Sequence, residues 1–252
     1  MTGRVMIVGL GPGAAEWMTL EASAAIEAAS DIVGYGPYVR RVALRRDQRA
    51  HPSDNRVEME RARLALSLAA RGRTVAVVSG GDPGVFAMAA AVFEAIEDDP
   101  QWLNLDIAVK PGVTAMQAAA ARLGAPLGHD FCAISLSDNL KPWAVVERRL
   151  RAASSGDFVI ALYNPASQAR PTRIKQAFDL MRALKASTTP VAFARAVGRA
   201  DEKLMLTTLG EADLSSVDMA TLVIVGSSET RFVARGGERP WMLTPRGYGA
   251  CR

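Results

Sequence analysis

Apolar residues recur along the chain in short unbroken runs, each ending at residues suited to a turn. Val5-Met6-Ile7-Val8 stops at Gly9, Thr74-Val75-Ala76-Val77-Val78 at Ser79-Gly80-Gly81, and Leu105-Asp106-Ile107-Ala108-Val109 at Lys110-Pro111-Gly112. Phe158-Val159-Ile160-Ala161-Leu162 stops at Tyr163-Asn164-Pro165, and Thr221-Leu222-Val223-Ile224-Val225 at Gly226. Runs of this length without polar alternation predict strands buried on both faces, as in parallel sheets covered by helices. Alanine- and leucine-rich stretches with helical spacing lie between them. Thr114 stands where a cap would open a helix through Leu123, with Met116, Ala119, Ala120 and Leu123 on one face and Gly124 as its stop. Asp138 or Asn139 is placed to cap the next helix, with Pro142 in its first turn and Val145, Val146 and Leu150 apolar. Phe131-Cys132-Ala133-Ile134-Ser135-Leu136 reads as a strand between the two, and a second strand-and-helix series runs to the end. The alternation predicts an α/β protein.

Composition narrows the class. A chain of 252 residues can bury a sizeable core as one large domain or two small ones. No apolar stretch approaches the ~18 residues of a membrane span, and the start enters a strand directly, without the features of an export signal. Cys132 and Cys251 are too few for a disulfide framework or a structural zinc site and fit a reducing compartment. The expectation is a cytoplasmic protein with no membrane partner and no metal. Of the 30 basic residues 25 are arginine, whose planar fork suits carboxylates and phosphates. They are spread along the chain, and aromatics make up only 6%, so no nucleic-acid surface is expected.

Candidate chemistry gathers at the ends of the apolar runs. Gly9-Leu10-Gly11-Pro12-Gly13-Ala14 fits the spacing of a dinucleotide fingerprint, and equally a tight strand-to-helix turn. The acid that should hold a ribose hydroxyl is misplaced, because Asp31 precedes the run Ile32-Val33-Gly34-Tyr35 instead of ending it. The loop is therefore not read as an NAD site. Ser79-Gly80-Gly81-Asp82-Pro83-Gly84-Val85-Phe86 has more glycine than a connection needs, which suits a ligand loop at a strand end; the alternative is a turn in which Asp82 bonds its own backbone. Pro111-Gly112-Val113-Thr114-Ala115 and Leu162-Tyr163-Asn164-Pro165 also end strands; on local chemistry alone a helix cap is the better reading of Thr114, and an Asx turn is the alternative reading of the second segment.

Taken in order, these segments resemble the tetrapyrrole methylase family of S-adenosylmethionine-dependent enzymes in cobalamin and sirohaem synthesis. The residues that carry the likeness are Val8-Gly9-Leu10-Gly11-Pro12-Gly13, Gly80-Gly81-Asp82-Pro83-Gly84-Val85-Phe86, Pro111-Gly112-Val113-Thr114-Ala115 and Thr221-Leu222-Val223-Ile224-Val225-Gly226. Further segments are similar to the subgroup that methylates a precorrin at carbon 17 with contraction of the macrocycle. They are Gly34-Tyr35-Gly36-Pro37-Tyr38, Gly124-Ala125-Pro126-Leu127-Gly128-His129-Asp130-Phe131, Ser135-Leu136-Ser137-Asp138, Leu162–Pro165 and Thr244-Pro245-Arg246-Gly247-Tyr248.

The resemblance implies two α/β domains, 1–138 and 139–252, with the active-site cleft between them, and a homodimer. It implies S-adenosylmethionine held by Gly80, Gly81, Asp82, Val85, Phe86, Thr114, Ala115, Leu162, Tyr163 and Asn164, with Arg195, Ala196 and Gly198 closing over the adenine. Gly9, Gly11, Pro12 and Gly13 would floor the substrate side, and a precorrin would be the partner. A sulfonium carries its own leaving group, so alignment and exclusion of water suffice, which agrees with the lack of a recognisable nucleophilic triad. Ring contraction calls for an acid or base, for which His129, Asp138 and Tyr35 are the candidates; His129 is also readable as a loop histidine bonded to backbone. Arg40, Arg41, Arg45, Arg46 and Arg49 are available for substrate carboxylates, or as a solvated face. Rival readings are a sibling methyltransferase, an NAD-dependent oxidoreductase and a non-catalytic tetrapyrrole carrier.

Overall fold

The structure, a computed structural model, describes residues 3–166 and 171–248. Cys251 lies outside them. The chain divides into two compact units, Met1–Ala115 and Met116–Arg252.

In the first unit, β1 (Arg4–Gly9), α1 (Leu20–Ala28), β2 (Asp31–Tyr35), α2 (Gly36–Val39), β3 (Arg49–Ser53), α3 (Glu58–Ala70), β4 (Thr74–Ser79), α4 (Met88–Asp98) and β5 (Asp106–Lys110) follow one another. The strands form one parallel sheet in the order β3-β2-β4-β1-β5. Both faces are covered, as the unbroken apolar runs require. Val5, Ile7, Val33, Val75 and Val77 pack with α3 and α4, while Met6, Val8, Ile32, Ala76 and Val78 pack with α1. The neighbouring strands β1 and β4 thus send their connections to opposite faces. That leaves the carboxyl edge between them open for loops, the usual ligand position in such sheets. Strand β3, Arg-Ala-His-Pro-Ser, escapes the apolar pattern because it is a polar edge strand.

Asp31 opens β2 at the far end from Tyr35 and is buried. Its carboxylate lies 2.9 Å from His51 Nε2 and accepts hydrogen bonds from Arg73 Nε at 2.7 Å and Ser30 Oγ at 2.8 Å. Burial alone would raise this carboxyl, but the bonds from His51, Arg73 and Ser30 hold it below its ordinary value. It is an internal anchor, distant in its sheet from any ribose position.

The second unit comprises most of α5 (Ala115–Leu123), then β6 (Gly124–Ala125), β7 (Phe131–Ser135), α6 (Trp143–Ser155), β8 (Val159–Tyr163), α7 (Arg173–Arg182), β9 (Pro190–Arg195), β10 (Lys203–Thr208), β11 (Thr221–Val225), β12 (Arg231–Arg235) and β13 (Glu238–Leu243). Its main sheet, β10-β9-β11-β8-β7, is mixed; only β7 and β8 pair in parallel. A small sheet, β12-β13-β6, accompanies it. Helices α6 and α7 cover one face through Val146, Leu150, Phe178 and Met181 against Ile160, Leu162, Phe193 and Val223, with Phe178 stacked on Phe193.

Three expectations change. The second series is not a run of parallel strands, because β9 to β13 follow one another without α-helices and pair antiparallel wherever they are neighbours. The compact units divide between Ala115 and Met116, in the first turn of α5, instead of near Asn139; Phe131–Ser135 pairs along its whole length with β8 and so belongs to the second sheet. Helix α6 begins at Trp143 with Pro142 at its cap position and no side-chain cap, the Asp138 carboxylate being paired with Arg173.

Asp31 generates a prediction. A depressed carboxyl stabilises the fold above its unfolded pKa, near ~3.9, and that stabilisation is lost as pH falls through the folded value. Asp31→Asn is expected to cost about 1–3 kcal/mol at neutral pH and to flatten the acid limb of the stability curve. Urea titrations at neutral and acid pH measure both; parallel curves for variant and parent would remove Asp31 from this role.

Candidate active site

At the carboxyl edge of the first sheet, three loops meet main chain to main chain. Gly11 and Gly81 exchange backbone bonds, Gly11 N–H to Gly81 C=O at 3.2 Å and Gly81 N–H to Gly11 C=O at 2.9 Å. Both hold left-handed φ values, +65° and +69°, which glycine adopts without strain. A Cβ on Gly9 would lie 2.7 Å from Gly81 O and from Gly112 N, and one on Gly112 would lie 2.4 Å from Gly81 O. No side chain fits at either point. Asp82 clamps the arrangement: Oδ1 accepts the Gly84 N–H at 2.8 Å and Oδ2 the Gly112 N–H at 3.0 Å. The Asx turn considered for Asp82 is thus present, and its second oxygen extends the clamp to the Pro111–Ala115 loop. Arg41 supports the first loop, donating to Leu10 O at 2.9 Å and Gly11 O at 3.1 Å.

Tyr38 packs so closely on Gly80 that a Cβ there would come 2.7 Å from its ring, and Tyr35 meets Tyr38 edge-on at 5.5 Å. The Gly34–Tyr38 segment therefore stands beside the 80–86 loop. Val85 is half-buried, and Phe86 is about half exposed with a left-handed φ of +53°. Strained backbone of this kind clusters at ligand loops, although Arg56 at +67° shows that it also occurs elsewhere in the chain. Thr114 is buried and Ala115 half-buried at the start of α5. Thus Gly9, Gly11, Pro12 and Gly13 share one edge with Gly80, Gly81, Asp82, Val85, Phe86, Thr114 and Tyr35.

The second unit gathers its expected residues on one edge of its own sheet. Val223 pairs with both Leu162 and Phe193, so β8 and β9 end level with each other. Asn164 and Ala196, just past those ends, are both left-handed, at +52° and +51°. Asn164 Nδ2 donates to Ser135 Oγ at 2.9 Å, which fixes the amide at the end of β7. Tyr163 OH accepts the Met116 N–H at 3.1 Å, serving the first turn of α5. Arg195 is committed to Asp218 at 2.9 Å and Asp201 at 2.7 Å, and the bonds from those carboxylates raise its pKa. The Gly198 N–H donates to Glu202. The strand end therefore presents main chain, not a free guanidinium.

The acid–base candidates separate. Tyr35 lies with the glycine loops of its unit. Asp138 follows β7 beyond Ser135, and Arg173 holds it, with Nε at 2.8 Å and a second nitrogen at 2.5 Å. His129 precedes β7, roughly 20 Å along the strand from the Asn164 edge. Its ring meets Tyr248 edge-on at 4.9 Å, with Asp130 3.9 Å from Nδ1. Arg45 pairs with Asp47 on the surface. Tyr38, Arg41 and Ser135 are the supporting residues that sequence reading did not single out for these roles. Tyr38 and Ser135 lie in segments that carry the family likeness, and Arg41 in the arginine run after Tyr38, but none of these signals pointed to the role that the structure shows. Among the described residues no group of three or more His, Cys, Asp or Glu is placed to hold a metal.

A doubly covered parallel sheet with glycine loops at its carboxyl edge, together with a mixed-sheet unit in which Asn164 and Ala196 are left-handed at one edge, is the architecture of an α/β protein with ligand loops at its strand ends. Residues 4–213 match the family described as Tetrapyrrole (Corrin/Porphyrin) Methylases. The chain is 57% identical over 252 residues to the precorrin-3B C(17)-methyltransferase of a Sinorhizobium species, covering 100% of this chain and 99% of the relative. It is 45% identical to the probable cobalt-factor III C(17)-methyltransferase of Salmonella typhimurium, covering 96% and 98%. The solved structure of the methyltransferase CobJ superimposes with a TM-score of 0.92 at 50% identity, covering 96% of this chain and 100% of that one. The chain belongs to the tetrapyrrole methylase family and is a methyltransferase.

The glycine contact is directly testable. Gly112→Ala forces Gly81 or Gly9 to shift by a sizeable fraction of an ångström, and a misplacement of that order is expected to lower methyl transfer about 100-fold while the fold survives. Circular dichroism and a turnover assay read the two quantities, and near-parent turnover would show that the loops tolerate the shift.

Proposed function

We propose that this enzyme transfers a methyl group from S-adenosylmethionine to carbon 17 of precorrin-3B, with ring contraction to precorrin-4, in cobalamin biosynthesis. The observation that carries this reading is the 57% identity, over the whole length of both chains, to a precorrin-3B C(17)-methyltransferase.

The loops fit such a cofactor. Three of its expected contact residues, Phe86, Asn164 and Ala196, hold left-handed backbone conformations that side chains rarely adopt. Gly80 and Gly81 offer main chain without side chains, and Phe86 offers an exposed ring. S-adenosylmethionine supplies an electrophilic methyl group already bonded to its leaving group. The protein's own work is then to bind and orient. Gly80–Phe86 with Thr114 and Ala115, and Leu162–Asn164 with Ala196 and Gly198, hold the cofactor; Arg195 acts by setting its strand end. The Gly9–Gly13 turn, held by Arg41, faces the substrate.

Tyr35 and Asp138 are the proposed proton-handling groups for ring contraction, with Arg173 positioning Asp138. His129 is assigned to support of the Tyr248 segment. Homodimeric assembly and a cytoplasmic location belong to this proposal on family resemblance; among the described residues no helix is long and apolar enough to cross a membrane.

A second reading follows from the relative named for cobalt-factor III: the same ring position, in a substrate already carrying cobalt. Turnover of methyl-labelled S-adenosylmethionine with each tetrapyrrole separates the two, and label appearing only in the cobalt substrate would replace the first reading. Calorimetry with S-adenosylhomocysteine should give one site per chain while NAD stays silent; silence from the former in folded, cofactor-free protein would sink the cofactor assignment. His129→Ala is expected to keep turnover within about twofold of the parent, given its separation from the Asn164 edge. A loss above tenfold in a folded variant would return His129 to the mechanism.

A further inference from the structure

The opposite edge of the second sheet, where β8 and β9 begin and β11 ends, holds a cavity of about 240 Å³ lined by none of the residues proposed above for methyl transfer. Its walls include Ser154 at the end of α6, Asp157 before β8, Lys185 and Thr189 before β9, and Ser228 and Thr230 after β11. The volume is far above the ~15 Å³ that admits one water.

Two groups in these walls are under-satisfied in hydrogen bonds. Lys185 is one of five lysines in a chain with 25 arginines, and its side chain is only 4% exposed. An ammonium has three donors, yet its contacts here are long, 3.3 Å to Asp157 Oδ1 and 3.4 Å to Phe158 O. Charge-assisted bonds usually close to ~2.7–2.9 Å. Asp157, in contrast, is saturated. Oδ1 also takes the Ser228 N–H at 2.8 Å, and Oδ2 takes the Ser228 hydroxyl at 2.6 Å and the Tyr248 hydroxyl at 3.0 Å. Burial would raise this carboxyl, but the bonds from Ser228 and Tyr248 and the charge of Lys185 keep it below its usual value. Its negative charge is therefore already engaged. Ser154 is 5% exposed, and its Oγ has no hydrogen-bond partner among the described residues. Buried polar atoms of that kind are rare and call for a partner.

Lys185 thus keeps donor capacity beyond two long contacts, and Ser154 keeps a hydroxyl without a partner among the described residues, beside a space large enough for a ligand. We propose that this cavity is a binding site for a small oxyanion, phosphate or a short carboxylate, held by Lys185 and Ser154. Two segments that stand out in the sequence and that the reaction does not absorb converge beside it. Tyr248 joins Asp157 by its hydroxyl and His129 by its ring, so the cavity wall and the Thr244–Tyr248 segment share one anchor.

The test is calorimetric titration of the full chain with inorganic phosphate and, separately, with malonate, in a buffer free of both. One site per chain is expected for at least one probe, and the probe that binds identifies the oxyanion class. Lys185→Met should weaken binding at least about tenfold. Ser154→Ala removes an unpartnered hydroxyl, so its stability in urea should equal or exceed the parent's while binding weakens about threefold or more. No heat from either probe at tens of millimolar would mean that the cavity holds water only and would overturn the proposal. Binding that is unchanged in both variants would overturn it as well, by placing the anion at another cation.

Discussion

The chemistry of the first unit depends on a contact that no side chain could make. Gly9, Gly81 and Gly112 approach so closely that a single methyl group on Gly9 or Gly112 would overlap main-chain atoms. Every feature of that edge follows from it. The three loops can share one edge only because their backbones touch, and they keep their positions because one carboxylate, Asp82, bonds two of them at once. Such an edge presents N–H and C=O groups in fixed directions and leaves the space beyond for a ligand. For the methyl transfer proposed above, in which the cofactor brings its own leaving group, that kind of cradle matters more than a nucleophile.

The second unit reaches a comparable result by other means. Its sheet is mixed, and the residues at the shared end of β8 and β9 hold left-handed conformations with an amide anchored on Ser135. Arg195 sets the strand end through two carboxylates. The other end of the same sheet is built from different chemistry, with Asp157 collecting donors from a turn, a lysine and the Tyr248 hydroxyl. Buried hydroxyls continue it: Thr244 donates to Pro126 O at 2.6 Å and lies 2.8 Å from Thr230 Oγ1. This explains why the Gly124–Phe131 and Thr244–Tyr248 segments stand out together in the sequence. They are two halves of one packed assembly, in which a Cβ on Gly128 would lie 2.2 Å from Thr244 O.

The sequence by itself determined the α/β class, the principal buried strands, the loops at their ends and the family. Unbroken apolar runs have one low-energy use in a chain of this size, and glycine clusters at their ends mark places where side chains are excluded. What the pattern could not supply was whatever depends on a neighbour distant along the chain. Burial on both faces looks the same for a parallel strand and for β11, which is antiparallel to both of its neighbours. Asp138 reads locally as a helix cap until Arg173 takes its carboxylate, and β7 places His129 at the far end of the sheet from Asn164. Asp82 reads as a turn residue until its second oxygen finds Gly112. In each case a local motif stated what a residue is able to do, and tertiary structure chose among those uses. Hydrogen-bond partners and strand order are set by packing across the sheet, and no periodicity along the chain encodes them.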